Sequence, residues 1–326
     1  MFPVSLELAQ QLEPQTMQVA IISLIVSLFV WVMHSVWPSV RAFPAIALGT
    51  WGLSFVGIIV SLVFRSQLAG YFALSNMYES LLVLSLFLML ALVVAYRWVR
   101  LPMLGWPVAL LVLAMVAFAN TLPTDINPLQ AALQSYWRAI HVPIIIASYA
   151  LFALSFITAV LHLVLSRPSA LLASAGSSPP LTPALPLGNA NHLHAQLSQD
   201  SLPQADGSLE SSQPVAMVLP FQPVDAMAEI TYRAVAVGFP LLAIGIILGG
   251  LWANEAWGNY WSWDPKESMS LATLLAYGVF LHLRVSGQVS ARTLSWVAVG
   301  GFAMMLVTYF GVNIMGLGLH SYGKIG

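Results

Sequence analysis

Cysteine is absent from the 326-residue chain, and charge is scarce: 11 Lys+Arg and 12 Asp+Glu make up 7% of the residues. Without thiols the chain forms no disulfide, builds no Cys-ligated zinc site and performs no thiol catalysis. Soluble domains carry about 25% charged residues, so this composition excludes a soluble enzyme. A net charge of −1 also excludes the basic surface that a nucleic-acid binder needs. Basic residues are missing from the first sixteen positions as well, which hold Glu7 and Glu13, unlike a signal peptide. What is present is apolar. Hydrophobic residues reach 59%, with a mean hydropathy of +0.84, far above what a disordered chain carries. The chain belongs in a lipid bilayer.

The gaps between charges outline the fold. Residues 14–40, 42–64, 80–96, 101–124, 139–166, 234–254, 268–283 and 293–323 contain no Asp, Glu, Lys or Arg. A membrane helix needs about 20 mostly apolar residues. Seven of these gaps reach or approach that length, and 268–283 gains a turn from its flanks. The expected fold is therefore all-α: a polytopic membrane protein of about eight transmembrane helices. One more uncharged stretch, 168–199, is rich in Pro, Ser and small residues and is expected to be a linker. The expected organisation is helices 1–5 over 1–166, a flexible cytoplasmic or stromal linker over 167–228, and helices 6–8 over 229–326. His192 and His194 in the linker are expected to be solvated bystanders.

Sidedness follows from the basic residues. With eight spans, Arg41, Arg97, Arg100, Arg167, Arg233, Arg284 and Arg292 share one side, and Arg65, Arg138, Lys266 and Lys324 share the other with both termini. Seven against four places the termini on the lumenal or periplasmic side.

Aromatic residues then concentrate where lipid anchoring does not require them. Residues 252–268 read WANEAWGNYWSWDPKES, with Trp252, Trp257, Trp261 and Trp263 inside twelve residues and Tyr260 among them. An interfacial belt explains one or two Trp at a helix end. It does not explain four in an outward polar loop. Trp257 and Trp261 are four apart, so a helical turn is expected to set both indoles on one face, an apolar shelf for a planar ligand such as a porphyrin. Asp264 is expected to cap the next helix, with Pro265 at its first position and Glu267 as capping-box partner. As cap, Asp264 would also set the angle at which Trp261 and Trp263 are presented.

WGNYWSWDPKE resembles the Trp-rich WWD signature of the haem-handling proteins of cytochrome c maturation. GYFALSNMYESL, starting at Gly70 and followed by Leu82, and the C-terminal GVNIMGLGLHSYG narrow the resemblance to the CcsA (ResC-type) branch. Ala73 stands where that branch usually has Pro. The resemblance runs from about residue 40 onward, outside the linker. It implies haem b as bound substrate, held at the outer face between His141 (in HVP) and His320 (in GLHSYG), with iron bound by both imidazoles. His282, in YGVFLHLR, matches the in-membrane histidine expected to meet haem near the inner side, where the opposite ligand comes from the partner. His34 and His162 lie at similar depth and are rivals for that role. Arg138 and Lys266 adjoin the outer site and are candidate partners for the haem propionates, and Glu79 is expected to cap or pair.

The function implied is to carry and present haem for thioether attachment, as part of a cytochrome c synthase (haem lyase) complex. A ResB-type membrane partner and an apocytochrome c bringing a C-x-x-C-H segment are implied. Lacking cysteine, the chain leaves thiol reduction to other proteins. A cyanobacterial or plastid thylakoid membrane is the implied location, with a bacterial plasma membrane as the variant. Two other classes compete. A transporter for haem or a small solute would suit eight spans but usually shows internal repeats, which this sequence does not. A haem-bearing quinone oxidoreductase would leave the outward loop unexplained.

Overall fold

The computed structural model describes residues 5–166 and 223–312. His320, Lys324, His192, His194 and positions 167–222 of the expected linker lie outside the described residues. Among the described residues, eight helices are long and apolar enough to cross a membrane: α1 (Leu6–Val36), α2 (Ala42–Ala69), α3 (Met77–Val99), α4 (Pro102–Ala119), α5 (Tyr136–Leu165), α6 (Pro223–Trp257), α7 (Pro265–Ser286) and α8 (Ala291–Leu306). A five-residue π-helical stretch, Val307–Gly311, continues α8. The all-α polytopic architecture is as expected. Most helices outrun their charge gaps because charged residues sit near their ends, where some reach water and others, Arg65, Glu79, Arg138 and Glu267, are buried in ion pairs or hydrogen bonds. Helix α6 starts at Pro223, so residues 223–228 are helix and not linker.

Local chemistry starts and stops these helices. Ser5, Asn76, Ser135 and Ser290 cap α1, α3, α5 and α8 through side-chain oxygens that accept backbone N–H bonds. Pro102 opens α4 where its missing N–H is harmless. Gly70 ends α2 in a left-handed conformation, with φ 74°, which a Cβ would strain.

Helix α5 is the centre of the bundle, packed against α3, α6 and α8, while α1 lies along α2 and α4. Lipid gives no hydrophobic drive between helices, so close packing and interhelical hydrogen bonds hold them. Thr158 and Thr231 hydroxyls meet at 2.8 Å between α5 and α6, and Thr273 and Thr308 meet at 2.9 Å between α7 and the end of α8. Glycines set the closest approaches. The Trp31 indole, fully buried, fills the space a Cβ on Gly105 would occupy. Gly105→Ala is therefore expected to lower stability by about 1–3 kcal/mol, read as a reduced melting temperature of the purified protein in detergent.

The connections at 70–76, 120–135 and 258–264 gather at one end of the bundle, the aromatic face. Those at 37–41, 100–101 and 287–290 lie at the other, the basic face.

Candidate functional site

At the aromatic face the ends of α3, α5, α6, α7 and the π-helical stretch enclose a cleft. Its lining includes Asn76, Arg138, His141, Gly249, Trp252, Tyr260, Trp261, Lys266, Glu267 and Tyr309. Residues from 74 to 309 are thereby brought together, and each wall has a local cause.

The imidazole wall comes from α5 packed on α6. His141 Nδ1 lies 2.8 Å from the carbonyl oxygen of Gly245. A carbonyl only accepts, so Nδ1 carries the proton, and in the neutral ring Nε2 is the lone-pair nitrogen. That is the tautomer an iron-binding imidazole needs. The ring stacks on Trp252, with centroids 6.1 Å apart and planes 13° apart. Gly249 makes room for it, since a Cβ there would sit 2.6 Å from His141 Cε1. Trp252 is itself fixed, its Nε1–H donating to Ala132 O at 2.9 Å, and Trp257 packs edge-on behind it at 4.8 Å.

The tryptophans therefore divide into two pairs. Helix α6 ends at Trp257, and Gly258, at φ 79°, turns the chain out of the helix. Trp257 and Trp261 do not share a helical face, contrary to the expectation from their spacing. Trp261 lines the cleft, with Trp263 perpendicular to it at 5.6 Å. Trp263 is 70% exposed and held at φ 59°, a left-handed conformation that costs a non-glycine residue about 1 kcal/mol or more. Such strain persists only where neighbours enforce it.

Glu267 enforces it. Its Oε2 accepts from Ser262 N at 2.8 Å, Ser262 Oγ at 3.2 Å and Asp264 N at 3.2 Å. Asp264 caps α7 through Lys266 N at 2.8 Å, completing the expected capping box with Pro265 at the first turn. Ser268 Oγ donates to Trp263 O at 3.2 Å. Glu267→Ala would remove one acceptor from three donors, a loss of about 1–3 kcal/mol. Faster hydrogen exchange of the Ser262 and Asp264 amides, with protection of the α5 core unchanged, is the expected readout.

The facing wall is the end of the 70–76 connection, Leu74, Ser75 and Asn76, which sequence reading had not placed in the site. Arg138 ties it to α5: Nε donates to Leu133 O at 2.9 Å and a terminal nitrogen to Phe72 O at 3.2 Å. Arg138 thus both lines the cleft and holds two loops together. Beneath it, Glu79 Oε1 pairs with Arg65 Nε at 2.9 Å, both side chains nearly inaccessible, while Oε2 accepts from Ser75 N at 2.7 Å. Glu79 pairs, as expected. Ser80 and Tyr309 hydroxyls meet at 2.7 Å on the cleft floor. Tyr309 lies in the π-helical stretch, a feature common at functional sites. A signal for the facing wall was present in SNMYE, a cap followed three residues later by Glu, but nothing local says what it faces.

The other histidines separate by burial. His34 Nε2 lies 3.2 Å from Tyr96 OH, and His162 Nδ1 lies 2.8 Å from Ser295 Oγ; both rings are 4% exposed. His282, one turn from the end of α7 at the basic face, is exposed on the bundle surface. Of the three it is the exposed one.

A metal-bearing planar macrocycle needs an axial nitrogen, flat apolar walls and cations near its carboxylates. The cleft offers His141 in the required tautomer, Trp252, Tyr260 and Trp261, and the cations Arg138 and Lys266. The residues fit.

The profile of the family described as cytochrome C assembly protein matches residues 74–320. The cytochrome c biogenesis protein CcsA of Synechococcus elongatus is 36% identical over 295 residues, covering 88% of this chain and 90% of its own. Proteins of the same description from a Nostoc species and a Synechocystis species are 35% and 37% identical, covering 86% and 78% of this chain and 90% and 81% of theirs. Among solved structures, the cytochrome c heme lyase CcmF superposes with a TM-score of 0.60 at 16% identity, over 93% of this chain and 46% of that one. That likeness is one of fold, and the chain spans about half the lyase's length.

Proposed function

The chain belongs to the CcsA family of cytochrome c biogenesis proteins, and from that premise we propose that it presents haem b at its aromatic face for attachment to apocytochrome c. The observation that carries this reading is the His141–Trp252 pair at the cleft, with the imidazole proton held on Nδ1 by Gly245 O. The aromatic face is then lumenal or periplasmic, and the termini lie on that side of a thylakoid or related membrane.

The chain's role as a multi-pass membrane protein of cytochrome c assembly sets the chemistry required. Each apocytochrome thiol adds across a haem vinyl group: S–H and the C=C π bond are lost, C–S and C–H bonds form, and no net electron transfer occurs. The main need is positioning, which alone supplies several kcal/mol in well-oriented reactions, about 7–11 kcal/mol at best. His141 would hold the haem iron through Nε2, and His320 is proposed as its second protein ligand. Trp252, Trp261 and Tyr260 bound the ring plane and exclude water from it. Trp257 supports Trp252, while Trp263 and Asp264 set the loop that carries Trp261. Arg138 and Lys266 are proposed to face the propionates. On the basic face, His282 is proposed to bind haem jointly with a ResB-type partner before it reaches the cleft. The attacking thiols come from the C-x-x-C-H segment, kept reduced by other proteins.

The test is purification of the chain with its partner, visible spectroscopy and a count of c-type cytochromes. A six-coordinate haem spectrum in the complex, with loss of all c-type cytochromes on deletion of the gene, is expected. A colourless complex, or intact cytochromes in the deletion strain, would return the chain to the transporter class. His282→Ala is expected to lower haem content at one site while the cleft spectrum persists.

A further inference from the structure

We propose that the groove between α3 and α6 binds one acyl chain of an anionic glycerolipid from the basic-face leaflet, with the headgroup held at Arg233. Helix α5 packs against both α3 and α6 and floors this groove, which is separate from the aromatic cleft. Its depth has a sequence cause. Ala91 and Ala95 on α3, Ala147 on α5 and Ala234 on α6 line it, and small side chains between larger apolar ones leave a slot of acyl-chain width. The lining on α3 runs from Phe87 to Trp98, about 16 Å at 1.5 Å per residue. One leaflet of the hydrocarbon core is about 15 Å deep. The groove therefore matches a lipid tail in length and orientation.

Charge at its mouth selects the headgroup. The Arg233 guanidinium lies 3.9 Å from the Trp98 ring centroid, which holds it at the interface level. Glu229 is shared, 2.8 Å from Arg233 and 3.3 Å from Arg284, so one carboxylate faces two guanidiniums and positive charge remains. Arg97, exposed and next to Trp98 in the chain, adds to it. A phosphate or comparable headgroup anion completes this cluster. Haem would also bring apolar surface and carboxylates, but the lining residues include no His, Met or Tyr to bind its iron. Lipid is the occupant the chemistry favours.

The experiment uses the full chain with its partner in nanodiscs of mixed phosphatidylglycerol and phosphatidylcholine. Native mass spectrometry counts retained lipids, and a phosphatidylglycerol with a photoreactive acyl chain maps the site without any variant. Expected are one retained phosphatidylglycerol, labelling on α3 and α6 peptides, and about fivefold lower retention in Arg233→Gln. Arg233→Lys should retain most of the binding, and Ala91→Leu, which fills the groove without touching charge, should lose it. Equal retention of both lipids, label distributed over all helices, or a partner helix crosslinking at Ala234 in place of lipid would overturn the proposal. The visible haem spectrum of each variant reports an intact aromatic cleft, so failure here is distinct from failure of the haem reading.

Discussion

Replacing His141 by alanine is expected to abolish the six-coordinate haem spectrum of the aromatic cleft and to lower cytochrome c assembly at least about 100-fold, the scale on which misplacing reacting atoms acts. The imidazole is the group proposed to bind iron in the cleft, and its orientation is fixed twice, by Gly245 O at 2.8 Å and by the Trp252 ring 13° from parallel. A purely structural role predicts a different pattern. Loss of one hydrogen bond would cost about 1 kcal/mol and shift melting modestly, with the spectrum retained. Added imidazole separates the two: it should restore the low-spin bands of His141→Ala if the ring binds iron, and do nothing if the ring only packs. Retained bands in the untreated variant would end the ligation reading for His141.

Replacing Glu79 by alanine is expected to be the most damaging change to stability. It leaves Arg65 charged in a site where both side chains are nearly inaccessible, at 4% and 1% exposure. Removing one partner of a buried pair costs about 3–5 kcal/mol because the remaining charge is uncompensated. The loss extends further, since Glu79 Oε2 also accepts from Ser75 N and Oγ and so holds the wall of the cleft opposite the Trp loop. Thermal melting in detergent and the yield of membrane-inserted protein measure the effect. The double variant Arg65→Met with Glu79→Met removes both charges and should recover much of the stability, while the Ser75 contacts stay lost. If Glu79→Ala melts within a degree or two of the native chain, the pair contributes nothing and the wall is held by other means.

Much of the bundle was legible because bilayer physics is simple. About 20 apolar residues make a span, so charge gaps counted eight helices correctly, and the short gap at 268–283 did gain its flanking turns in α7. The capping box of Asp264 and Glu267 was legible because it is a four-residue local geometry. The pairing of Trp257 with Trp261 was misjudged because the spacing argument assumes a continuing helix, and Gly258 ends it. The start of α6 was misjudged because Pro223 marks a helix start as readily as a loop. His34 and His162 were rivals of His282 by depth alone, and what separates them by burial, their partners Tyr96 and Ser295, lies 62 and 133 residues away. Arg138 was a candidate propionate partner by proximity, and the bonds that place it on the cleft, to the carbonyls of Leu133 and Phe72, were not legible in the sequence.

The scarcity of charge and the absence of cysteine determine, from the sequence alone, an all-α membrane protein with no thiol chemistry of its own. Those are properties of composition and of local runs, and solvent decides them without reference to distant residues. Only the tertiary structure decided that His141 meets Gly245 O and stacks on Trp252, that Leu74–Asn76 line the same cleft as Trp261, and that Arg138 reaches Phe72 O. Each depends on helices distant in sequence approaching within a hydrogen-bond length. That approach is set by the small residues and buried pairs between them, not by any one segment's own preference.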